Sequence, residues 1–433
     1  MAKWFIEVPG DNVADVGCGV GNLIIAYLKE IGKEKARALI RSGKLFLFDY
    51  DETALNICRH SIALLFGADL LEKINCVHAD FLRKDVLLPD NCKVISNPPY
   101  AKYSVVLPEW DATETQKSSK DYYSAFLEKI ALGSCGAVVI TPYSFCGSKK
   151  FLPLREVLNN RSGFIVSFDN VPANIFCGRK HGIFNSNHAN SVRASITVID
   201  GNSEVGFRLS PLIRFNASER EKLLNNDVLE TFLGNNKQVV SVENTRYRKC
   251  FKSVEEIVDI WQKKSTEKLS DLLQDTPNEY RLDIPNTCRY FCVASRKELK
   301  RTGKHVVYAR DRRSFDYLYA FINSSFLYQE WRMYDGGITL TRDLLDSTPT
   351  FLRRFDAEKT KRLRKLVERV SETENNYLVY KKNANELQEN IKFPSSVRDE
   401  FNGILFDSLG VDEPARIFDI VHSNRAFGGD CDE

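Results

Sequence analysis

The sequence predicts an α/β fold, with a doubly wound, mainly parallel sheet over residues 1–200 of the 433-residue chain. Three observations carry that expectation. Short apolar runs alternate with stretches of helical period. A glycine-rich turn separates the first strand from the first helix. Successive strands then end at Asp49, Asp80 and Asn97, on the edge where open α/β sheets bind ligands.

The first strand is Val13-Ala14-Asp15-Val16, followed by the turn Gly17-Cys18-Gly19-Val20-Gly21. Leu23, Ile24, Tyr27, Leu28 and Ile31 then recur at helical spacing, predicting a helix over 22–40. Residues 44–48 form the second strand and end at Asp49. Asp51 is placed to cap a second helix over 52–66. The third strand, 75–78, leads to Asp80, and the fourth, Lys93-Val94-Ile95-Ser96, leads into Asn97-Pro98-Pro99-Tyr100. A helix over 122–132, a strand over 137–140, a helix over 151–158 and strands over 163–168 and 195–199 complete the alternation. Two polar stretches, 102–120 and 177–192, read as surface loops beside the strand ends.

Composition excludes several classes. Hydrophobic content of 43% and charged content of 27% are ordinary for a globular protein. No run of 18 apolar residues is present, so no transmembrane helix is expected, and Met1-Ala2-Lys3-Trp4-Phe5 has no signal-peptide apolar region. The eleven cysteines are scattered without a Cys-x-x-Cys pair, which predicts reduced thiols, a cytoplasmic location and no metal centre. A net charge of +3 confines any nucleic-acid footprint to local patches.

Beyond residue 201 the regular alternation is lost. Residues 281–313 hold ten Lys or Arg against three acids, interleaved with Tyr290, Phe291 and Tyr308, a composition suited to phosphate contacts and stacking. Residues 315–331 are strongly aromatic with helical spacing, and 359–387 are charged with helical spacing. The expected organisation is a catalytic domain over 1–200, an α+β recognition region over 201–355 and a helical tail over 356–433.

The candidate site is read from the strand ends. Proline fixes φ and holds the preceding residue extended, so Asn97 is presented stiffly at the end of the fourth strand. Its side-chain oxygen and the Pro98 carbonyl could each accept one N–H of an exocyclic amine, with Tyr100 against the ring that bears it. In a duplex such a base must be flipped out to be reached. Gly17, Gly19 and Gly21 let the backbone approach a ligand, at Gly-x-Gly-x-Gly spacing rather than that of dinucleotide binders. Asp49 is placed for ribose hydroxyls and Tyr50 for the face of an adenine. Asp80 is placed for an adenine amine, with Phe81 beside it.

These stretches together resemble the class I S-adenosylmethionine-dependent DNA adenine-N6 methyltransferases that carry a C-terminal target-recognition domain, in the manner of type IIG and type I modification enzymes. The resembling residues are Asp15 to Gly21, Leu45 to Asp51, His78 to Leu82 and Val94 to Tyr100, then Val138 to Pro142 with Phe151 to Arg155, and Phe168 to Phe176. Phe321 to Ser325 and Trp331 to Leu344 resemble the recognition region. The resemblance implies a Rossmann-like methyltransferase sheet. It implies that Gly17, Gly19 and Gly21 line the methionine part of the cofactor, with Asp15 supporting the loop. Asp49 would hold the ribose, and Asp80 with Phe81 the adenine. Asn97, Pro98 and Pro99 would present and bind the target amine, and Tyr100 and Phe176 would stack on the flipped base. The implied partners are double-stranded DNA and a restriction or specificity subunit. Members of the family usually carry a helix before the glycine turn; here fourteen residues precede Asp15, and Trp4, Phe5 and Ile6 are the candidates for part of its role. Methylation of RNA adenine or of a protein glutamine, and a silent DNA-binding or specificity subunit, stay open as alternatives.

Overall fold

The computed structural model describes residues 1–176, 192–335, 337, 339–383, 386–412 and 416–427. The chain divides into two compact units, one formed by 1–249 with 424–427 and the other by 250–423.

The first unit is built on an eight-stranded sheet. In chain order its elements are α1 (Ala2–Glu7), β1 (Asn12–Val16), α2 (Asn22–Glu30), α3 (Lys33–Arg41), β2 (Leu45–Asp49), α4 (Glu52–Phe66), β3 (Asn75–His78), β4 (Cys92–Ser96), α5 (Glu114–Ser119), α6 (Tyr122–Gly133), β5 (Gly136–Pro142), α7 (Leu152–Leu158), β6 (Ser162–Phe168), β7 (Ala194–Ile199) and β8 (Gly206–Ile213). The strand order is β3-β2-β1-β4-β5-β7-β6-β8. The strands from β3 to β5 pair in parallel, while β7 runs antiparallel to both β5 and β6. The fold is thus the expected α/β, Rossmann-like sheet. Strands β4, β6 and β7 are buried along their whole length, as apolar runs covered on both faces should be.

This order puts the topological switch point between β1 and β4. From β1 the chain steps outward to β2 and β3, then returns to place β4 on the other side of β1. The glycine turn follows β1 and Asn97 follows β4, so the two motifs flank the crevice that the reversal leaves open. Ser96 Oγ donates to the Val16 carbonyl at 2.6 Å and ties the two strand ends together.

Several sequence expectations are corrected. The helix predicted over 22–40 is two helices, because Gly32, at φ +86°, turns the chain between α2 and α3. The stretch 102–120 is not all loop: it carries α5 and is anchored by Tyr103 and Trp110, both buried against Tyr122. Strand β8 continues the sheet beyond residue 200, and the first unit runs on to Lys249 and takes in 424–427, past the expected boundary at 200. The polar loop expected over 177–192 lies, apart from Val192, outside the described residues. A helix does precede the glycine turn: in α1, Trp4 packs edge-on against Phe164 and Phe5 against Tyr27, while Ile6 is exposed.

The end of α1 is held by a buried lysine. Lys93 Nζ donates to the carbonyls of Phe5 at 2.9 Å, Val8 at 3.2 Å and Ile6 at 3.4 Å, and sits over the rings of Phe5 and Tyr27. It satisfies carbonyls that a helix leaves orphaned at its C-terminus. Burial lowers its pKa. The variant Lys93→Met should lose about 2 kcal/mol, since three buried acceptors lose their donor, as read from the midpoint of urea unfolding.

The second unit is α+β. Helices Lys252–Lys264, Arg312–Asn323, Phe326–Tyr334, Ala357–Glu372 and Ser395–Leu409 share one core, in which Trp261, Tyr317, Phe321 and Phe326 are fully buried. A three-stranded sheet places Lys304–Ala309 antiparallel to both Leu273–Gln274 and Arg281–Pro285. No separate helical tail starts at 356, because helices on both sides of that point enter the same core. Leu378–Asn383 and Glu386–Ile391 form an antiparallel pair of strands, where helical spacing was expected to run to 387.

Candidate functional site

The glycine turn sets the geometry of the site. Gly17, Gly19 and Gly21 stand at φ +70°, +50° and +91°, conformations that other residues rarely adopt. Gly17 N and Cys18 N donate to the Phe48 carbonyl, which draws the turn toward the end of β2. Gly19 N donates to Asp49 Oδ2 at 2.7 Å, and Asp51 N to Asp49 Oδ1 at 2.9 Å. Asp51 in turn caps α4, as its position predicts, by accepting from the backbone of Thr53 and Ala54. A Cβ at Gly21 would stand 2.5 Å from Cys58 Sγ. Gly21→Ala should therefore cost about 2–4 kcal/mol, combining left-handed strain and overpacking, measured by urea unfolding.

Asp49 braces the turn through Gly19 N, and Asp15 is buried in β1. Burial pushes the Asp15 pKa up to about 8; the nearby Asp49 charge adds to the rise, and the Ile24 backbone N–H opposes it.

The carboxyl edge of the sheet opens on a cavity of about 510 Å³. Gly17, Gly19, Asp49, Tyr50, Asp80, Phe81, Asn97 and Pro99 all line it, so residues from four successive strand ends meet in one place. Asp15, Gly21, Pro98, Tyr100 and Phe176 are not among its lining residues. Tyr50 is 78% exposed at the rim, while Phe81 is buried edge-on to Phe48. Asp80 Oδ1 accepts from Leu82 N at 3.0 Å, and Oδ2 accepts from Trp110 Nε1 at 2.8 Å.

Asn97 is held by its own motif. The Tyr100 hydroxyl donates to Asn97 Oδ1 at 2.8 Å, with the Ile140 carbonyl at 3.2 Å as a second acceptor. Burial raises the Tyr100 pKa well above its ordinary value, so this hydroxyl stays protonated and remains a donor. Oδ1 keeps a second lone pair for another donor. The Tyr100 and Phe176 rings lie 6.2 Å apart at 60°, forming adjoining walls rather than parallel plates.

Sequence reasoning missed Trp110 and the orienting role of the Tyr100 hydroxyl. The first lies in a stretch that reads as polar loop, where a lone Trp preceded by Pro108 and Glu109 is the available signal. The second follows from the i, i+3 spacing once the prolines have turned the chain.

The basic stretch of the second unit is largely spent on internal pairing. Arg281 and Lys304 both pair with the buried Asp283, and Arg312 pairs with the buried Asp316. Arg313 donates to the carbonyls of Leu352 and Phe355. Phe321 to Ser325, and Trp331, which resemble recognition elements, are core residues.

Among the described residues no cluster of His, Cys, Asp or Glu is placed to hold a metal, and no helix is long and apolar enough to cross a membrane. No protein-family profile matches the chain, and no curated protein matches it. Several solved structures are similar. The DrdV–DNA complex is 11% identical over 97% of this chain and 68% of its own, with a TM-score of 0.46. The M protein of the type I restriction enzyme EcoKI is 11% identical over 87% of this chain and 71% of its own, with a TM-score of 0.39. The type ISP restriction-modification enzyme LlaBIII bound to DNA is 12% identical over 65% of this chain, with a TM-score of 0.39, and this chain spans only 22% of its length. At such identities the likeness is one of fold.

Proposed function

We propose that the first unit binds S-adenosylmethionine and transfers its methyl group to the N6 amine of adenine in DNA, as the modification component of a restriction-modification or phage-defence system. The observation that carries this reading is the convergence of the glycine turn, Asp49, Asp80 with Phe81, and Asn97 with Pro99 on one cavity at the switch point of the sheet. The cavity volume suits a ligand of that size. The glycine turn offers a backbone surface without Cβ atoms, and Asp49, although it braces Gly19, retains lone pairs for ribose hydroxyls.

The cofactor would supply an electrophilic methyl group on a sulfonium. The chain supplies position and polarisation. Asn97 Oδ1 and the Pro98 carbonyl accept the two N–H groups of the target amine, which draws its nitrogen toward tetrahedral geometry and aims the lone pair into the cavity. The Tyr100 hydroxyl fixes which way the Asn97 amide faces. Tyr100 and Phe176 offer ring faces to the flipped base. No strong base is needed, because the nitrogen loses its proton only after it has been alkylated.

The test is transfer of tritium from methyl-labelled S-adenosylmethionine to duplex DNA, to RNA and to a glutamine peptide in parallel. Label in DNA alone is the expected result. Label in RNA or peptide would move the reading to those amines, and label in none, with no cofactor binding by calorimetry, would leave a silent DNA-binding or specificity subunit.

A further inference from the structure

Trp110 belongs to the stretch 102–120, outside every motif that first pointed to the site. Its backbone forms an antiparallel bridge with Arg83, and Lys84 N donates to the neighbouring Glu109 carbonyl at 2.9 Å. The segment is thereby stitched to the turn that follows β3. The indole is 3% exposed and packs edge-on against Tyr103 and Tyr122. From there Nε1–H donates to Asp80 Oδ2 at 2.8 Å, while Leu82 N donates to Oδ1. Leu107, three residues earlier, lines the same cavity as Asp80.

Both Asp80 oxygens therefore receive a donor from the protein, and both donors are fixed by packing or backbone. An indole N–H can only donate, and so can a backbone N–H. A carboxyl group held by two such donors presents only lone pairs to the cavity. A ligand group facing it must bring a hydrogen. An amine at C6 of a purine does so, whereas a carbonyl at C6 sets one acceptor against another and leaves both unpaired.

We propose that Trp110 is a positioning residue that fixes Asp80 as an acceptor and so makes the cavity select a 6-amino over a 6-oxo purine nucleoside. This rests on the reading of the cavity as a nucleoside-cofactor site. Trp110→Phe keeps the backbone bridge and one aromatic ring of the packing, and deletes the donor to Oδ2. Freed on that side, the carboxylate can rotate away from a carbonyl or accommodate it through water.

The experiment is calorimetric titration of the full chain, wild type and Trp110→Phe, with S-adenosyl-L-homocysteine and S-inosyl-L-homocysteine. The wild type is expected to prefer the adenosyl ligand by about a hundredfold, and the variant by less than about tenfold, chiefly through weaker adenosyl binding. A merely structural role for Trp110 would weaken both ligands together and leave their ratio unchanged, which would overturn the inference. Absence of binding of either ligand to the wild type would overturn the nucleoside-site reading and this inference with it. Trp110→Tyr, which keeps a ring and a displaced donor, guards against loss of folding: it should give a ratio between the other two, and a ratio equal to the wild type's in both variants would remove Trp110 from the selection.

Discussion

Asn97→Ala should lower methyl transfer by about a thousandfold or more while cofactor affinity changes by less than about threefold. The first expectation follows from what the side chain does. Polarising contacts that form fully only as the reacting nitrogen changes geometry contribute to the rate rather than to ground-state binding. The second follows from where Asn97 stands. The glycine turn proposed to receive the cofactor is held by Asp49, through its bond to Gly19 N, and by the Phe48 carbonyl. Asn97 takes no part in those bonds. Its loss also leaves Tyr100 with the Ile140 carbonyl as acceptor, so the ring keeps an anchor. Single-turnover transfer and calorimetry on the same preparation separate the two quantities. A variant that transferred at the wild-type rate would remove Asn97 from the mechanism.

Asp15→Asn should stabilise the protein, and the gain should grow with pH. The folded-state pKa of about 8 lies far above the ordinary value of 3.8. Below about pH 4 the carboxyl is protonated in both folded and unfolded chains, so the substitution changes little. Between about pH 4 and 8 the unfolded chain releases the proton and the folded chain keeps it. The unfolded state then binds fewer protons, and stability falls as pH rises through that window. Above about pH 8 the loss levels off, at a magnitude on the order of 5 kcal/mol. Asparagine has the shape of the protonated acid and no charge to lose, so its unfolding free energy should lack that slope. Urea unfolding of both proteins at pH 5 and pH 8 reads the effect, and a difference independent of pH would mean that Asp15 is ionised in the fold. The Ile24 backbone N–H favours the charge, but burial outweighs it.

Much of the first unit's sheet was legible because it obeys local rules. Apolar runs of strand length are buried on both faces, and prolines, glycines and capping acids mark the ends. The positions of Asp49, Asp80 and Asn97 could be read because each ends a strand, and the sheet brings strand ends together. What the strand ends do could be read only in part. That Asp49 reaches Gly19 N depends on β1 and β2 pairing in register, a long-range fact with no local signature. The bond from Trp110 to Asp80 spans thirty positions and depends on a bridge to Arg83.

The C-terminal half was less legible for a physical reason. Charge and aromaticity suit a nucleic-acid surface, yet they also build a core stitched by ion pairs. Asp283 lies fully buried between Arg281 and Lys304, and the aromatic run around Phe321 and Trp331 fills the interior of the second unit. Composition counts such residues without showing which way they face. Strand β8 escaped notice because Ser210 and Pro211 interrupt its apolar run, although all but one of its residues are buried.

The identity of the methylated atom tests the account most directly. DNA incubated with the protein and methyl-tritiated S-adenosylmethionine would be digested to nucleosides and separated against standards. The account predicts that the label migrates with N6-methyl-2′-deoxyadenosine and is lost when Asn97 is replaced by alanine. Label migrating with a methylated cytidine, or persisting undiminished in Asn97→Ala, would contradict it.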